Sequence, residues 1–284
     1  MKTYNDIYLT TRNLLRQNGI EACDLEARIL VAGAAGKTVE HLLRDLKLYT
    51  TAEVENRALD YTARRLKGEP VAYITGSWQF YGIDLVVTPD VLIPRMDTEV
   101  LVDAVKEILT GNKMDARVLD LCCGSGCITC AVAHELPATR LVAVDLSASA
   151  LEICRRNVTD HKLNSRVLCI QADATTSPPL GIGNFDVIVS NPPYIESGEI
   201  QKLDRSVRDY EPIWALDGGE DGLRFYKAII KYWKSIIRPG GFLVFEVGEG
   251  QAQDVCDMLM AAGFGRTMKR KDTQGTDRVV IGRI

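Results

Sequence analysis

The residues most suited to chemistry are Asn191-Pro192-Pro193-Tyr194, which follow the apolar run Phe185-Asp186-Val187-Ile188-Val189-Ser190. That run reads as a buried strand. Each proline lacks an N–H, fixes its own φ and holds the residue before it extended. The strand therefore ends in a rigid corner. The Asn191 side-chain oxygen and the Pro192 carbonyl can each accept one hydrogen of a flat NH₂ group. Pro193 stiffens the turn, and Tyr194 offers an aromatic face to the same plane. The alternative for these four residues is an ordinary proline-rich loop.

Three other strand ends carry residues that belong in a binding cleft. Asp120-Leu121-Cys122-Cys123-Gly124-Ser125-Gly126 reads as a strand end, a small-residue turn and a helix start. Such a turn lets a ligand approach the backbone closely. A nicotinamide fingerprint would need a third glycine at Thr129, which is missing. Asp145 ends the next strand and is placed to accept the two hydroxyls of a ribose, or to cap the helix that follows together with Ser147. Asp173-Ala174 follows a third strand, where the acid either accepts the exocyclic amine of an adenine or is a solvated loop acid. No G-x₄-G-K-[ST] phosphate loop occurs. Ribose, adenine and a glycine turn without a phosphate loop point to a phosphate-poor adenosine cofactor, and S-adenosyl-L-methionine fits.

The eight cysteines include Cys127 and Cys130 at C-x₂-C spacing, just after Cys122 and Cys123. No second pair of ligands follows at metal spacing, so they read as small apolar residues around a tight turn, and no metal is expected. None of the three histidines, His41, His134 and His161, stands near a strand-end motif.

The elements that must position these residues are legible in the pattern. Residues 1–70 read as four short amphipathic helices, Tyr4–Asn18, Cys23–Ala35, Thr38–Leu46 and Thr51–Lys67, punctuated by Gly19 and Gly36. They form a small bundle suited to docking a macromolecular substrate. Residues 71–96 are rich in β-formers (Val71, Tyr73, Ile74, Phe80, Tyr81, Ile83, Leu85) broken by Gly76 and Gly82, and read as a linking β-hairpin. Trp78, Phe80 and Tyr81 are expected either to line a groove or to fill a core. Residues 97–284 alternate helices with continuous apolar strands and close on a hairpin turned by Asp272-Thr273-Gln274-Gly275. That is an α/β fold with a Rossmann-like, mostly parallel sheet covered on both faces.

At 284 residues, 46% hydrophobic and 25% charged, the chain has the composition of a soluble globular protein. A formal charge of −4 argues against direct nucleic acid binding. No run approaches the ~18 apolar residues of a membrane span, and the first residues do not read as a secretory or mitochondrial leader, so the cytoplasm is expected.

With these motifs in hand, the chain resembles the class I S-adenosylmethionine-dependent methyltransferases. More narrowly it resembles the protein-(glutamine-N5) methyltransferases of peptide chain release factors (the HemK/PrmC family). The likeness runs nearly the full length. It includes Ile93-Pro94-Arg95-Met96-Asp97-Thr98-Glu99, Tyr210-Glu211-Pro212-Ile213-Trp214-Ala215-Leu216, Gly218-Gly219-Glu220-Asp221-Gly222-Leu223 and Glu246-Val247-Gly248. The resemblance implies cofactor contacts at Cys122, Cys123, Gly124, Ser125, Gly126, Asp145, Asp173, Ala174 and Asn191. It implies substrate contacts at Asn191, Pro192, Pro193 and Tyr194, with Asn191, Pro192 and Tyr194 as the catalytic set. The implied substrate is the glutamine of a Gly-Gly-Gln loop in class 1 release factors, taken by a monomeric enzyme. Two departures stand out. Cys122 replaces the first glycine of the acid-x-G-x-G-x-G loop, which is tolerable if its φ is negative. Met96 replaces a frequent proline. A nucleobase amino-methyltransferase shares the Asn191–Tyr194 motif but would want a basic surface or an inserted target domain. A glutamine methyltransferase of a ribosomal protein shares the chemistry entirely.

Overall fold

The computed structural model describes residues 1–110 and 115–284. In chain order the elements are α1 (Tyr4–Gln17), α2 (Cys23–Ala35), α3 (Val39–Asp45), α4 (Ala52–Leu66), α5 (Val71–Thr75), β1 (Ser77–Phe80), β2 (Ile83–Val86), α6 (Glu99–Leu109), β3 (Arg117–Leu121), α7 (Cys127–Glu135), β4 (Arg140–Asp145), α8 (Ala148–Asp160), β5 (Val167–Gln171), β6 (Phe185–Ser190), α9 (Arg205–Arg208), α10 (Arg224–Trp233), β7 (Ile237–Glu246), α11 (Ala252–Ala261), β8 (Arg266–Lys271) and β9 (Asp277–Arg283). They form two compact units, Met1–Ser77 with Asp204–Tyr210, and Trp78–Leu203 with Glu211–Ile284.

The first unit is helical, as its stripes predict. Thr3 and Asp6 make a reciprocal capping box at α1, and Thr38 and Thr51 cap α3 and α4. Leu15, Ala27, Leu30, Val31 and Ala58 are fully buried between α1, α2 and α4. Two features depart from the sequence reading. Val71–Thr75 is a helix, not a strand: Pro70 opens it, Gly76 closes it in the left-handed region, and Val71 and Ile74 pack against Leu30. Burial on a helical face overrides the strand propensity of Val, Tyr and Ile. The one-turn α9 segment also belongs with this unit, and the Tyr210 hydroxyl donates to the Lys67 carbonyl (3.2 Å).

The second unit is a seven-stranded sheet in the order β5-β4-β3-β6-β7-β9-β8, with β9 antiparallel to both of its neighbours. Alternate residues of the central strands feed two cores. Val118, Ala143, Val187, Val189 and Val244 face one; Leu119, Leu121, Val142, Val144, Ile188 and Phe245 face the other. An irregularity between Phe185 and Val187 puts Phe185 on the second face. Strand order reverses at β3 and β6, whose last residues Leu121 and Ser190 pair in register. The Ser190 hydroxyl donates to the Leu121 carbonyl (2.7 Å). The Cys122 loop and the Asn191 corner thus leave the sheet side by side at its switch point, where ligands bind in such folds.

Asn157 of α8 ties the β1–β2 hairpin to this point. Its Oδ1 accepts the Val86 N–H (2.8 Å), and its Nδ2 donates to the Val86 carbonyl (3.0 Å) and the Ser125 carbonyl (2.9 Å). Phe80 is buried in the core below it, so that aromatic fills a core. Asn157→Ala leaves three backbone partners unmatched and is expected to cost about 2–4 kcal/mol. Urea denaturation measures this, and an unchanged midpoint contradicts it.

Candidate active site

A cavity of ≈ 390 Å³ opens at the switch point, within the range of small-molecule sites. Cys122, Cys123, Gly124, Ser125, Asp145, Asp173, Ala174, Asn191 and Pro193 line it, together with Arg95, Thr98, Trp214, Asp217 and Phe225. Gly126, Pro192 and Tyr194 are not among the lining residues.

The glycine turn enters the left-handed region at every second residue: φ is +60° at Cys122, +53° at Gly124 and +77° at Gly126. The expectation of a negative φ at Cys122 is therefore wrong. A non-glycine residue there costs about 1–2 kcal/mol. Packing of the small Cys122 side chain against the second core face offsets part of this. Gly126 has a structural part. It caps α7, and a Cβ on it would sit 2.6 Å from Cys154 Sγ.

Asp145 is held from both sides. The Gly124 N–H donates to its Oδ2 (2.8 Å) and the Ser147 N–H to its Oδ1 (2.9 Å). Burial pushes its carboxyl up, against the hydrogen bonds from those amides. Ser147 is the cap of α8, so Asp145 is left to face the cavity. Asp173 accepts the Thr175 N–H (2.7 Å) and hydroxyl (2.6 Å), both on Oδ1, which keeps Oδ2 available. Asp120 lies deeper, with no exposed surface, and burial raises its carboxyl to about 7. Its Oδ2 accepts both the N–H (3.1 Å) and the hydroxyl (2.6 Å) of Thr129. The residue that breaks the nicotinamide fingerprint is thus the one that locks the turn to its strand.

Cys123, Cys127, Cys130, Cys154 and Cys169 pack together in the first core. Cys154 and Cys169 Sγ lie 3.7 Å apart, and burial raises Cys130 to about 12. Among the described residues no group of three or more His, Cys, Asp or Glu side chains is placed to hold a metal.

At the Asn191 corner, the two prolines keep Asn191 and Pro192 extended, so alternate residues face opposite ways. Asn191 and Pro193 face the cavity. Pro192 is buried, and Tyr194 turns inward, its hydroxyl donating to Glu246 Oε1 (3.3 Å). Asn191 Nδ2 donates to Thr98 Oγ1 (3.2 Å), which leaves its Oδ1 as a free acceptor. Thr98 ends a 3₁₀ turn held on several sides. Arg95 pairs with the buried Glu211, whose other oxygen accepts the Ile93 N–H (3.2 Å). Asp97 pairs with Arg278 (3.6 Å), and Glu99 accepts the Tyr81 N–H (2.8 Å). Met96 is 82% exposed, so the residue that replaces proline bears none of this.

Three glycines let other segments close on Tyr194. A Cβ at Gly218 would lie 2.7 Å from Tyr194 Cα. One at Gly222 would lie 2.5 Å from Tyr194 O, and one at Gly248 3.1 Å from its ring. Gln251 completes the clamp, donating to the Tyr194 carbonyl (2.9 Å) and accepting the Gly248 N–H (3.0 Å). The roles of these glycines, and of Thr98, Glu246, Gln251 and Asn157, come from partners distant in the chain and have no local signature in the sequence. Gly218→Ala forces the Tyr194 backbone to move and is expected to lower turnover about 10–100-fold. Gly198→Ala, whose added methyl meets open space, is the control. Equal rates for the two variants remove the clamp.

The donor set suits a cationic, adenosine-bearing cofactor: carboxylates at Asp145 and Asp173 for hydroxyls and an amine, and a turn that admits close approach.

Comparison with known proteins gives the same reading. Residues 96–206 match the Methyltransferase small domain family, and residues 6–76 match the PrmC N-terminal domain family. A release factor glutamine methyltransferase from Geobacter sulfurreducens is 42% identical over 274 residues, covering 96% of this chain and 94% of that one. Another, from Caulobacter vibrioides, is 38% identical over 275 residues, covering 97% and 94%. Among solved structures, the hMettl16 catalytic domain in complex with a MAT2A 3′UTR hairpin superposes with a TM-score of 0.58 at 16% identity, over 81% of each chain; this shows a shared fold. The chain is a class I enzyme that uses S-adenosyl-L-methionine as methyl donor, and it belongs to the release factor glutamine methyltransferase family.

Proposed function

We propose that this protein methylates the side-chain amide nitrogen, N5, of the glutamine in the Gly-Gly-Gln motif of class 1 peptide chain release factors. The observation that carries the reading is the orientation of Asn191: its amino group is committed to Thr98, so its oxygen is presented as an acceptor beside the carboxylate-lined pocket. The names of the relatives supply the release factor as partner. The helical unit is the docking element, and the enzyme works as a monomer in the cytoplasm without binding nucleic acid directly.

A primary amide nitrogen is a weak nucleophile because its lone pair is delocalised into the carbonyl. S-adenosyl-L-methionine supplies a methyl group already activated by a positive sulfonium. The task left to the chain is alignment and charge placement. Asn191 Oδ1 accepts one amide hydrogen and the Pro192 carbonyl the other. Together they fix the plane of the substrate amide and stabilise the positive charge that grows on nitrogen. Tyr194 acts from behind, as the anchor of the corner. Asp145 holds the ribose hydroxyls and Asp173 the adenine amine.

Asn191→Ala is expected to lower turnover by roughly 100–1,000-fold, about 3–4 kcal/mol, with cofactor affinity kept within about tenfold (1.4 kcal/mol). Asp145→Ala is expected to weaken cofactor binding by about 1.5–3 kcal/mol. Calorimetry and single-turnover kinetics separate the two effects. Incubation of the enzyme with labelled methyl donor and purified release factors, ribosomal proteins or DNA, followed by mass mapping, tests the substrate. Label on a ribosomal protein or a base instead of the release factor glutamine overturns the reading.

A further inference from the structure

The last residue of α10 holds a loop that lines the cavity. Tyr226, Ile229, Ile230 and Trp233 share one buried face of that helix. Trp233 has no exposed surface and is not itself among the lining residues. A buried indole needs an acceptor for its N–H. Trp233 Nε1 donates to the Ala174 carbonyl (3.0 Å), and Ala174 lines the cavity beside Asp173.

The bond matters for what it leaves over. Around it the loop is committed group by group. The Ala172 N–H donates to the Asp145 carbonyl (3.1 Å). The Asp173 carbonyl accepts from the Thr176 N–H (3.1 Å) and the Thr176 hydroxyl (3.0 Å). The Thr175 N–H donates to Asp173 Oδ1 (2.7 Å). The peptide between Ala174 and Thr175 is thus pinned at both ends, its oxygen by Trp233 and its N–H by the Asp173 side chain. Among the described residues, the Ala174 N–H and Asp173 Oδ2 have no hydrogen-bond partner. They are a donor and an acceptor on adjacent residues of the cavity wall.

Adenine presents the complementary pair along one edge: an amino group at C6 that donates and a ring nitrogen, N1, that accepts. A 6-oxopurine presents the reverse, an oxygen at C6 and an N1–H. On the same loop it sets oxygen against carboxylate and N–H against N–H, and every one of these groups is left unpaired. The choice between the two bases therefore depends on which way the 174–175 peptide faces. Without Trp233 the Ala174 carbonyl is a buried acceptor with no donor. Rotation of the peptide toward the cavity relieves it, but breaks the bond from Thr175 to Asp173 and brings an acceptor where adenine also accepts.

We propose that Trp233 is a positioning residue which, by holding the Ala174 carbonyl in the core, sets the Asp173–Thr175 loop to take an adenine and refuse a 6-oxopurine. The inference rests on the reading of Asp173 as the acceptor of the adenine amine.

The test is calorimetry of wild type, Trp233→Phe, Asp173→Ala and Ile229→Ala with S-adenosylhomocysteine and S-inosylhomocysteine, beside turnover on a purified class 1 release factor. Wild type is expected to prefer the adenosyl ligand by about 100-fold or more. Trp233→Phe is expected to bind that ligand about tenfold more weakly and to lose about tenfold of the preference, with kcat at saturating cofactor kept within about twofold. Ile229→Ala opens the same core from the same helix without removing a donor from Ala174, and is expected to keep the preference. A wild-type preference in Trp233→Phe overturns the proposal, and so does an equal loss in Ile229→Ala, which assigns the effect to packing. If Trp233→Phe does not fold, β-(benzothiophen-3-yl)alanine supplied in place of tryptophan in a Trp78→Phe/Trp214→Phe background keeps the two-ring shape and removes only the N–H. It is expected to show the same loss relative to tryptophan in that background, and an unchanged preference overturns the proposal. A preference that survives Asp173→Ala removes the underlying reading of Asp173. A preference lost in Asp173→Ala but intact in Trp233→Phe sinks this inference alone.

Discussion

A carboxamide has two edges of nearly equal shape and opposite hydrogen-bonding sense. A site that grips another amide by its hydrogens works only if the oxygen edge is presented. In the proposed mechanism the hydrogen bond from Asn191 Nδ2 to Thr98 Oγ1 makes that choice. Much of the architecture serves to bring those two atoms together. The reversal of strand order puts the end of β6 beside the end of β3, which sends Asn191 out next to the cofactor turn. Thr98 arrives from a turn fixed by three separate contacts, Arg95 on Glu211, Asp97 on Arg278 and Glu99 on the Tyr81 amide. The buried Glu211 carboxyl, raised by burial and drawn back by Arg95, marks where that turn is anchored to the segment across the cavity.

The corner is stiff for reasons beyond its prolines. Proline removes a donor from the chain, so the backbone there cannot be secured by an ordinary ladder of hydrogen bonds. The next residues supply the missing ties. Ile195 exchanges bonds with the 216–218 segment, its N–H donating to Leu216 O (3.0 Å) and its carbonyl accepting from Gly218 N–H (2.8 Å). Gln251 then holds the Tyr194 carbonyl. Such close approach leaves no room for a Cβ at Gly218, Gly222 or Gly248. Gly218, Gly222 and Gly248 are therefore explained by steric contact with Tyr194.

How much of this could be read from the chain depended on the range of the interaction. The helices of the first unit and the strands of the sheet are legible because periodicity and caps are local: Thr38, Thr51 and Ser147 each cap the helix that follows. The placement of Cys122–Ser125, Asp145, Asp173 and Asn191 around one cavity followed from strand ends alone. The misreadings have local causes of another kind. Val71–Thr75 carries strand-forming residues but is decided by burial on the helical bundle. The positive φ of Cys122 cannot be inferred from residue type, because the path of the chain from β3 into α7 sets it. Thr98 and Glu246 gave no signal, since their partners lie 93 and 52 residues away.

Two buried carboxyls, Asp120 and Glu246, are both raised to about 7, yet neither is suited to act as a base toward substrate. Asp120 is spent on Thr129, and neither it nor Glu246 is among the residues that line the cavity. None of the three histidines lines it either. The chemistry explains why a site for amide methylation can do without one. The amide nitrogen is not deprotonated before it reacts; it becomes strongly acidic only once the new bond has formed, and its proton then leaves to water unaided. What the reaction needs beforehand is a pair of acceptors that hold the two hydrogens in place and tolerate growing positive charge. In the proposed mechanism a fixed carboxamide oxygen and a backbone carbonyl do this, and neither group titrates.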